Sequence, residues 1–325
     1  MPARTHRQDV VPQVKGITGP AKGHVKGGIV HVERWFKASP EKVFKAWSDP
    51  KLLPKFFWPV GEGKVDHLEF KVGGQLRMSH ATQPWTAVWS FAEIVPNKKI
   101  VTRDPFPDGS GIESVGTLEF IPKDGGCLLK VTDGPFPASM GPSQGAAVGF
   151  SMVADRLAEE LETPGAGEGF RIVRHFNVPP SRVYQMWTTK EGLAKWWALS
   201  AKDMGYQFKV NKLDVKVGGE YDIVMSNQEH GDLHNHGKYL EVVPNQLLVQ
   251  EWHFDIFLAP GEKPYPISVR VEFEEIDTMG PGSPKGTKMT FTQGPMAKPE
   301  HTEGSKQGVI SNFAKLEKAL APPGK

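Results

Sequence analysis

The fold is decided by two similar stretches of sequence: Ser39–Phe57 reads SPEKVFKAWSDPKLLPKFF, and Pro179–Trp197 reads PPSRVYQMWTTKEGLAKWW. Seven positions are identical or chemically similar at a constant offset of 140 residues, and Trp47 with Trp187 is the clearest of these pairs. Internal repeats are sought first, because a missed repeat leads to the wrong fold. The two stretches indicate one structural unit that occurs twice.

The agreement between the two copies continues downstream in the same order. The matching segments are HLEFKVGGQLRM (His67–Met78) with KLDVKVGGEYDI (Lys212–Ile223), EIVPNKKIV (Glu93–Val101) with EVVPNQLLV (Glu241–Val249), and GFSMVADRLAEEL (Gly149–Leu161) with GVISNFAKLEKAL (Gly308–Leu320). The offset grows from 140 to 159 residues along the chain, so the second copy carries longer loops between the same elements. Several matches in one order establish an internal duplication.

Each copy is predicted to run as a strand, helices, several strands and a final helix. Val30–Phe36 and Phe170–Phe176 alternate with the period of two that is typical of strands. Pro40 and Pro180 follow them and open helices at the first-turn position that proline favours. The VPN segments predict hairpin turns, and the Gly-Gly pairs predict a bend before the next strand. This order of elements belongs to the α+β class.

The composition is that of an ordinary globular protein. The chain has 325 residues, which suggests about two domains. Its formal net charge of +2 gives no electrostatic reason to expect nucleic acid or a membrane as a partner. The single cysteine, Cys127, excludes an intramolecular disulfide and a zinc site built on several thiolates. No apolar run approaches the ~18 residues that span a bilayer, so we expect a cytoplasmic protein.

The repeat sets the predicted domain boundaries. Residues 1–27 are expected to form a flexible basic arm, residues 28–163 the first domain and residues 168–321 the second domain. The segment Thr163–Gly169 reads TPGAGEG and is expected to be an exposed linker. Because duplication within one chain can replace a homodimer, we expect a monomer in which the two domains form a pseudo-two-fold pair.

The motifs, taken in order, resemble a known family. A strand, a P-x-x-V-[FY]-x-x-W helix, a Leu-x-x-[FW]-[FW] turn, V-G-G, [IV]-V-P-N and a Gly-led final helix are similar to the activator-of-Hsp90-ATPase-homologue type of the START/Bet v 1-like (SRPBCC) superfamily. The resemblance implies two tandem helix-grip domains, each a curved antiparallel sheet wrapped around a long C-terminal helix. It also implies an internal cavity between sheet and helix. Phe150 and Val309 depart from the family, which typically has tryptophan at that place.

The second copy gathers titratable residues around the predicted turn at Pro244-Asn245. The cluster consists of His230, His234, His236, Trp252, His253 and Asp255. With a two-residue turn, His236 lies opposite His253 and His234 opposite Asp255, so that three imidazoles and one carboxylate share one sheet face, which is a plausible donor set for zinc. The apolar face in that register consists of Leu248, Trp252, Phe254 and Ile256. It places the histidines on the solvent side, and a shift of one residue exchanges the faces. Surface or rim histidines are therefore expected, and no metal site is assigned.

Other polar residues could belong to a ligand-binding or catalytic site only if their side chains face the interior of the domain. Arg34 and Arg174 occupy equivalent strand positions, where an arginine either binds a carboxylate ligand or, more often, pairs with an acidic side chain. The candidate acid–base groups are Glu113, Asp104, Glu251 and His80. Aromatic walls with a few polar groups are typical of pockets for apolar ligands. The candidate ligand-binding residues are Trp58, Trp89, Trp197, Tyr221, His236, Trp252 and Phe254.

Three functions compete at this point. The leading hypothesis is binding of an apolar or aromatic small molecule in a helix-grip cavity, without catalysis and without a cofactor, because no catalytic motif is present. The first alternative is a cyclase, hydratase or hydrolase that uses a cavity histidine or carboxylate as acid and base. The second is a co-chaperone-like protein-interaction module. We expect the second domain to carry the site, because its longer loops bring histidines beside Trp252.

Overall fold

The structure is a computed structural model that describes residues 18–58, 63–81, 85–106, 111–136, 143–203, 205–229, 231–254, 265–277 and 285–321. Each copy of the repeat forms one antiparallel sheet with helices packed against one of its faces. The face that directs buried side chains toward the helices is called the inner face here, and the opposite one the outer face.

The first domain has an eight-stranded sheet. Its elements are β1 (Lys22–Lys26), β2 (Ile29–Phe36), α1 (Pro40–Ala46), α2 (Leu53–Phe56), β3 (Gly63–Leu68), β4 (Gln75–His80), β5 (Thr86–Val95), β6 (Lys99–Pro105), β7 (Glu113–Lys123), β8 (Gly126–Asp133) and α3 (Ser143–Leu161). Neighbouring strands follow the order β1-β2-β8-β7-β6-β5-β4-β3. The final helix α3 packs against β1 and β2.

The second domain repeats this order in a seven-stranded sheet. Its elements are β9 (Phe170–Phe176), α4 (Pro180–Thr188), α5 (Lys190–Asp203), β10 (Gln207–Leu213), β11 (Glu220–Asn227), β12 (Gly231–Val243), β13 (Leu247–Phe254), β14 (Ile267–Asp277), β15 (Lys285–Gln293) and α6 (Pro299–Leu320). Neighbouring strands follow the order β10-β11-β12-β13-β14-β15-β9. Apart from β1, the two sheets have the same topology, which confirms the predicted duplication and the α+β fold with two tandem helix-grip domains.

The repeated helix begins as the sequence predicts. The Ser39 side chain accepts a hydrogen bond from the backbone N–H of Lys42 at 3.3 Å and so caps α1, and Pro40 occupies the first turn. Val43 and Phe44 are then buried. The helix packs against β7 and β8 through this apolar face.

Both VPN segments form hairpin turns, but each turn is one residue longer than predicted. In the second domain Val243 pairs with Leu247, so three residues lie between them, and Asn245 adopts a φ of 62°. A bulge between Tyr239 and Glu241 then shifts the register by one residue. Because the extra turn residue and the bulge cancel, the strands beyond the bulge pair as they would around a two-residue turn.

Gly219 lies in the turn before β11, where a side chain has no room. A Cβ at this position would overlap the carbonyl oxygen of Asp214. We expect Gly219→Ala to lower the free energy of unfolding by about 1–3 kcal/mol, because the turn must distort to relieve the overlap. Urea unfolding measures this change. The control is Gly149→Ala in α3, where a Cβ meets nothing within 4 Å and alanine stabilises a helix by about 0.5–1 kcal/mol. Equal effects of the two substitutions would contradict the expectation.

The prediction of a flexible arm over residues 1–27 is wrong for its last part. Lys22–Lys26 form β1, which pairs antiparallel with β2. Thr18 is also fixed, because its hydroxyl donates to Glu162 Oε2 at 2.7 Å. The sequence KGHVK lacks an apolar alternation, and most of the strand is exposed, so backbone pairing with β2 forms it rather than burial of its own side chains. Residues 1–17 lie outside the described part of the chain.

Each domain has its own apolar core between sheet and helices. In the second domain, α6 contributes buried Val309, Phe313 and Leu316, which share one face of the helix. No helix in the described part of the chain combines the length and the apolar character that crossing a membrane requires.

The two domains contact each other through α3, which packs against β9. Lys306 of α6 donates from Nζ to the carbonyl oxygens of Glu159 and Glu162, at 2.6 Å each, and so satisfies the C-terminal end of α3. Arg174 of β9 donates two hydrogen bonds to the Glu159 carboxylate, at 2.6 and 2.9 Å. The C-terminal part of α3 is therefore held by Lys306 of α6 and Arg174 of β9 across the domain boundary. The monomeric state and the pseudo-two-fold pairing stay predictions.

The linker is more tightly held than expected. Pro164 and Gly169 are buried, and exposed residues occupy only part of Thr163–Gly169. Glu168 forms an ion pair with Lys37 of the first domain and accepts a hydrogen bond from the Gly165 backbone at 2.8 Å. The connection between the domains is thus partly buried.

Candidate functional site

The alternation of β12 and β13 places the predicted site residues on two different faces. Asn235 and Tyr239 are buried on the inner face of β12, so His234 and His236 project from its outer face. On β13, Trp252 is buried on the inner face. His236 and Trp252 cannot line one pocket, and the prediction that combined them in a single site is wrong.

The histidines lie along an open groove on the outer face of the second sheet. His236 lies opposite His253, as predicted for that register, and the two rings stack with centroids 5.1 Å apart. His234 Nδ1 is 2.8 Å from Asp222 Oδ1. The groove measures about 650 Å³, but within the described part of the chain no three metal-binding side chains converge to hold a metal ion. His230 and Asp255 lie outside the described residues.

The interior of the second domain is a packed aromatic core. The ring centroid of Trp252 lies 5.8 Å from that of Trp197 and 5.4 Å from that of Phe254. Tyr221 is buried in the same cluster. The space left among Trp197, Tyr221 and Trp252 is about 10 Å³, which is the volume that a single water molecule needs. As the structure stands, these four candidates pack against one another, and the described cavity among them does not accommodate a larger molecule.

The first-domain candidates, Trp58 and Trp89, lie in one aromatic cluster. Phe57 joins them, with its ring centroid 5.3 Å from Trp58 and 4.9 Å from Trp89. His80 is buried at the end of β4 and contacts Trp58 edge-on at 5.8 Å. The indole Nε1 of Trp58 is buried and has no hydrogen-bond partner among the residues that the structure describes. The cluster therefore combines apolar ring surface with an unused hydrogen-bond donor.

Two carboxyl groups share the inner face of the first sheet with this cluster. Asp104 lies on β6 and Asp133 on β8, and Ser114 of the intervening β7 is buried and pairs in register with Asp104. Gly116 is the next inner-face residue of β7. A Cβ there would lie 3.7 Å from Asp133 Oδ1 and 2.6 Å from Thr102 Oγ1. The Thr102 hydroxyl thus occupies the position that a side chain at residue 116 would take, close to the Asp133 carboxyl group.

The surroundings of both carboxyl groups favour the protonated form. Burial raises the pKa of Asp133 to about 6, and hydrogen bonds from the Ser114 side chain and the Gly134 backbone oppose this shift only in part. Burial, together with the negative charge of Asp133, raises the pKa of Asp104 to about 6, and the Trp89 side chain opposes it by hydrogen bonding. Because two nearby negative charges repel each other, the pair holds one proton around pH 6.

One oxygen of this pair has no partner among the described residues. Asp133 Oδ1 is buried and accepts no hydrogen bond from them. Asp133 as a whole is 8% exposed, whereas Asp104 is half-buried. The pair thus combines a buried acceptor with a partly exposed carboxyl group.

The second domain has neutral side chains at both equivalent positions. The aligned segments place Trp252 where the first domain has Asp104, and Gln293 where it has Asp133. Gln293 is fully buried and accepts a hydrogen bond from the Ser305 hydroxyl at 3.0 Å. The paired carboxyl groups are thus a feature of the first domain, opposite to the expectation that the second domain gathers the titratable groups of the site.

One known family matches most of the chain. Its profile, AHSA1, is described as Activator of Hsp90 ATPase homolog 1-like protein and matches residues 37–162 and 177–321. The chain belongs to the AHSA1 family. No curated protein matches the sequence.

Solved structures similar to this AHSA1 protein cover one or both of its domains. Protein CV1439 from Chromobacterium violaceum is 24% identical with a TM-score of 0.38, over 47% of this chain and 96% of its own. The Aha1 dimer from Colwellia psychrerythraea is 15% identical with a TM-score of 0.36, over 41% of this chain and 96% of its own. DynU16, a protein in the dynemicin biosynthetic locus, is 14% identical with a TM-score of 0.36, over 90% of this chain and 98% of its own.

In this AHSA1 protein, two of the four predicted acid–base candidates face inward. Asp104 and His80 lie on the inner face of the first sheet. Glu113 lies on the outer face and accepts a hydrogen bond from Arg103 at 2.6 Å. Glu251 also lies on an outer face, with its Oε1 3.1 Å from a ring nitrogen of His253.

Asp133 was not among the residues that the sequence predicts. The signal that could have found it is a difference between the two copies, which read TDGP at 132–135 and TQGP at 292–295. A carboxylate that replaces an amide at an otherwise repeated inner-face position is a chemical difference between the two interiors.

The remaining polar candidates have structural roles. Arg34 Nε lies 2.9 Å from Asp155 Oδ1, and Arg174 pairs with Glu159, all four side chains being buried. Both arginines therefore form ion pairs, as expected, rather than facing an open ligand site. Burial raises the pKa of the Cys127 thiol to about 11, so the thiol is not a nucleophile near neutral pH.

Proposed function

We propose that the first domain binds a small, mainly aromatic molecule that donates a hydrogen bond to the Asp104–Asp133 pair. The observation that carries the proposal is the buried, unpartnered Oδ1 of Asp133. A buried acceptor without a partner costs about 1–3 kcal/mol. A ligand that donates a hydroxyl or N–H group to this oxygen offsets that cost.

The side chains around the pair favour an aromatic ligand. Trp58, Phe57 and Trp89 form a continuous run of rings, and aromatic rings pack edge-to-face or offset against a further ring. Trp58 Nε1 offers a buried donor to an acceptor atom of the ligand. Asp104 is partly exposed to solvent.

The proposal moves the site from the second domain to the first. The second domain has neutral Gln293 and a packed Trp252 at the equivalent positions, with about 10 Å³ of space beside Trp252. Buried polar atoms without a hydrogen-bond partner among the described residues occur in both domains, including Gln293 Nε2 and both amide atoms of Asn235 in the second. The first domain differs in its paired carboxyl groups, which the second domain lacks.

Binding of 2-naphthol to the full-length chain tests the proposal, because this probe combines a fused aromatic ring with one hydroxyl donor. Calorimetric titration at pH 7.5 is expected to show one site in the wild type. Asp133→Asn should weaken the affinity by about 10–100-fold, since a hydrogen bond to a charged group contributes about 1.5–3 kcal/mol. Trp89→Phe should weaken it less, because much of the ring contact is kept.

The matched control is Trp252→Phe, which alters the equivalent position in the second domain. Its affinity for 2-naphthol should equal that of the wild type. Loss of binding with Trp252→Phe but not with Asp133→Asn would place the site in the second domain and overturn the proposal. Native mass spectrometry of protein purified from its own host then identifies the natural ligand.

A further inference from the structure

We propose that the Asp104–Asp133 pair transfers protons to and from an enolisable aromatic ketone bound in the first domain. The proposal rests on the proposed function, because the ketone must occupy the same inner site. It goes beyond binding, since it assigns the site a reaction in which one carboxyl group acts as the acid and the other as the base.

The geometry supplies an acid and a base on one face of the sheet. Asp104 on β6 and Asp133 on β8 lie on either side of β7, whose inner-face residues there are the small Ser114 and Gly116. The Ser114 side chain hydrogen-bonds Asp133, and no charged side chain of β7 lies between the two carboxyl groups on this face. The same arrangement of titratable groups with raised pKa values is typical of acid–base sites.

The hydrogen-bond partners assign the two roles. The anion of Asp133 accepts hydrogen bonds from the Ser114 side chain and the Gly134 backbone, the anion of Asp104 accepts one from the Trp89 side chain, and the negative charge of Asp133 favours the protonated form of Asp104. Asp133 is therefore the base, with its unpartnered Oδ1 as the accepting atom. Asp104 is the acid.

Among the described inner-face residues of the first domain, no nearby cationic side chain neutralises the negative charge of the Asp104–Asp133 pair. Arg34 of β2 is committed to Asp155 of α3 at 2.9 Å. His80 of β4 is the other titratable side chain at this end of the sheet, and it packs against Trp58 and Trp85. The charged residues next to Asp104 along the chain face outward, as the Arg103–Glu113 pair does.

The proton transfer balances without a further reactant. Asp133 Oδ1 takes a proton from the carbon next to the carbonyl, and the electron pair of the broken C–H bond forms a C=C bond to the carbonyl carbon. The π electrons of the carbonyl move to its oxygen, which takes the proton of Asp104. The product is the enol, and the reverse step restores the ketone. Because carboxyl protons exchange with solvent, each cycle in D₂O places deuterium on the substrate carbon.

Hydrogen–deuterium exchange of 2-tetralone tests the proposal. This ketone has the fused rings of 2-naphthol and acidic C–H groups next to its carbonyl. The full-length chain in D₂O is expected to remove the proton NMR signal of these groups at least about 10-fold faster than the same buffer alone, since positioned acid–base groups contribute about 10²–10⁴-fold. The rate should peak around pH 6, because catalysis needs one protonated and one ionised carboxyl group.

The variants separate catalysis from binding. Asp133→Asn and Asp104→Asn should each reduce the excess rate by at least about 10-fold. Glu113→Gln, which removes an outward-facing carboxylate of the same domain, should keep the wild-type rate. Calorimetric titration with 2-tetralone runs alongside for every variant.

Each outcome decides one of the two proposals. A wild-type chain that binds 2-naphthol and 2-tetralone without faster exchange overturns the proton-transfer proposal and leaves the binding proposal in place. Faster exchange that survives both aspartate substitutions also overturns it. If neither probe binds, the proposed function fails, and the proton-transfer proposal fails with it.

Discussion

Replacing Glu159 with glutamine is expected to lower the free energy of unfolding by about 3–5 kcal/mol, because it breaks a buried ion pair and leaves Arg174 partly uncompensated. Arg174 is 4% exposed, and its two guanidinium hydrogen bonds to Glu159 join β9 of the second domain to α3 of the first. Among the described residues, Arg174 keeps Glu317, whose Oε1 lies 3.0 Å from its Nε, and a hydrogen bond to the Val173 carbonyl oxygen at 2.9 Å. Urea unfolding followed by tryptophan fluorescence measures the shift.

The control for this prediction is Glu275→Gln. Glu275 forms an ion pair with Lys285 at 3.3 Å in which both side chains are more than half exposed, and exposed pairs contribute about 0–1 kcal/mol. A change below 1 kcal/mol for Glu159→Gln would mean that Glu317 alone compensates Arg174. The contact between α3 and β9 would then not depend on the charge of Glu159.

The equivalent arginines of the two copies form ion pairs with carboxylates at different positions of α3. Arg34 pairs with Asp155 inside its own domain, whereas its counterpart Arg174 reaches across to Glu159. Lys306 adds a second link by donating to the carbonyl oxygens at the end of α3. The duplicated units therefore contact each other through groups that are not equivalent.

Most of the fold could be predicted from the sequence, because each helix, strand or turn predicted in one copy could be compared with the matching segment of the other copy. Pro40 and Pro180 mark the same helix start, and the VPN turns mark the same hairpin. The strand β1 could not be predicted in this way, because it has no counterpart in the second copy and its residues KGHVK carry no apolar alternation. Pairing with the edge of a neighbouring strand is a tertiary effect that local sequence does not show.

The site was harder to predict than the fold, because it depends on which face of each strand turns toward the helices. Along β6 and β7, Asp104 points inward and Glu113 outward, although both are acidic strand residues. A change of one residue in register exchanges such positions. The register of His236 and His253 could be predicted only because a bulge at Tyr239 offsets the longer turn. The sequence around Asp133 did not indicate a site residue, because Asp133 ends a strand beside a Gly-Pro turn, where aspartate is common.

Replacing Asp133 with asparagine is expected to stabilise the ligand-free protein at pH 7.5 by about 2–3 kcal/mol. Burial raises the pKa of Asp133 to about 6 in the folded state, about two units above that of an unfolded aspartate, and each unit corresponds to about 1.4 kcal/mol. The folded state therefore holds its proton more tightly than the unfolded state. Wild-type stability should fall as the pH rises from about 4 to about 6, and the loss is complete above that range.

The asparagine side chain stays neutral, so the variant should lose less stability in this pH range than the wild type, and the loss that remains comes from Asp104, whose pKa burial also raises. Near pH 4 both proteins carry a neutral group at position 133, and their free energies of unfolding should agree. Urea unfolding at pH 4 and pH 7.5 measures the difference, with Glu113→Gln as the control, since that carboxylate is exposed and paired with Arg103 on the outer face. A variant that is less stable than the wild type at pH 7.5 would show that Ser114 and Gly134 fully stabilise the anion. The expected result, a more stable protein that binds 2-naphthol worse, fits a carboxylate kept for a ligand at the expense of stability.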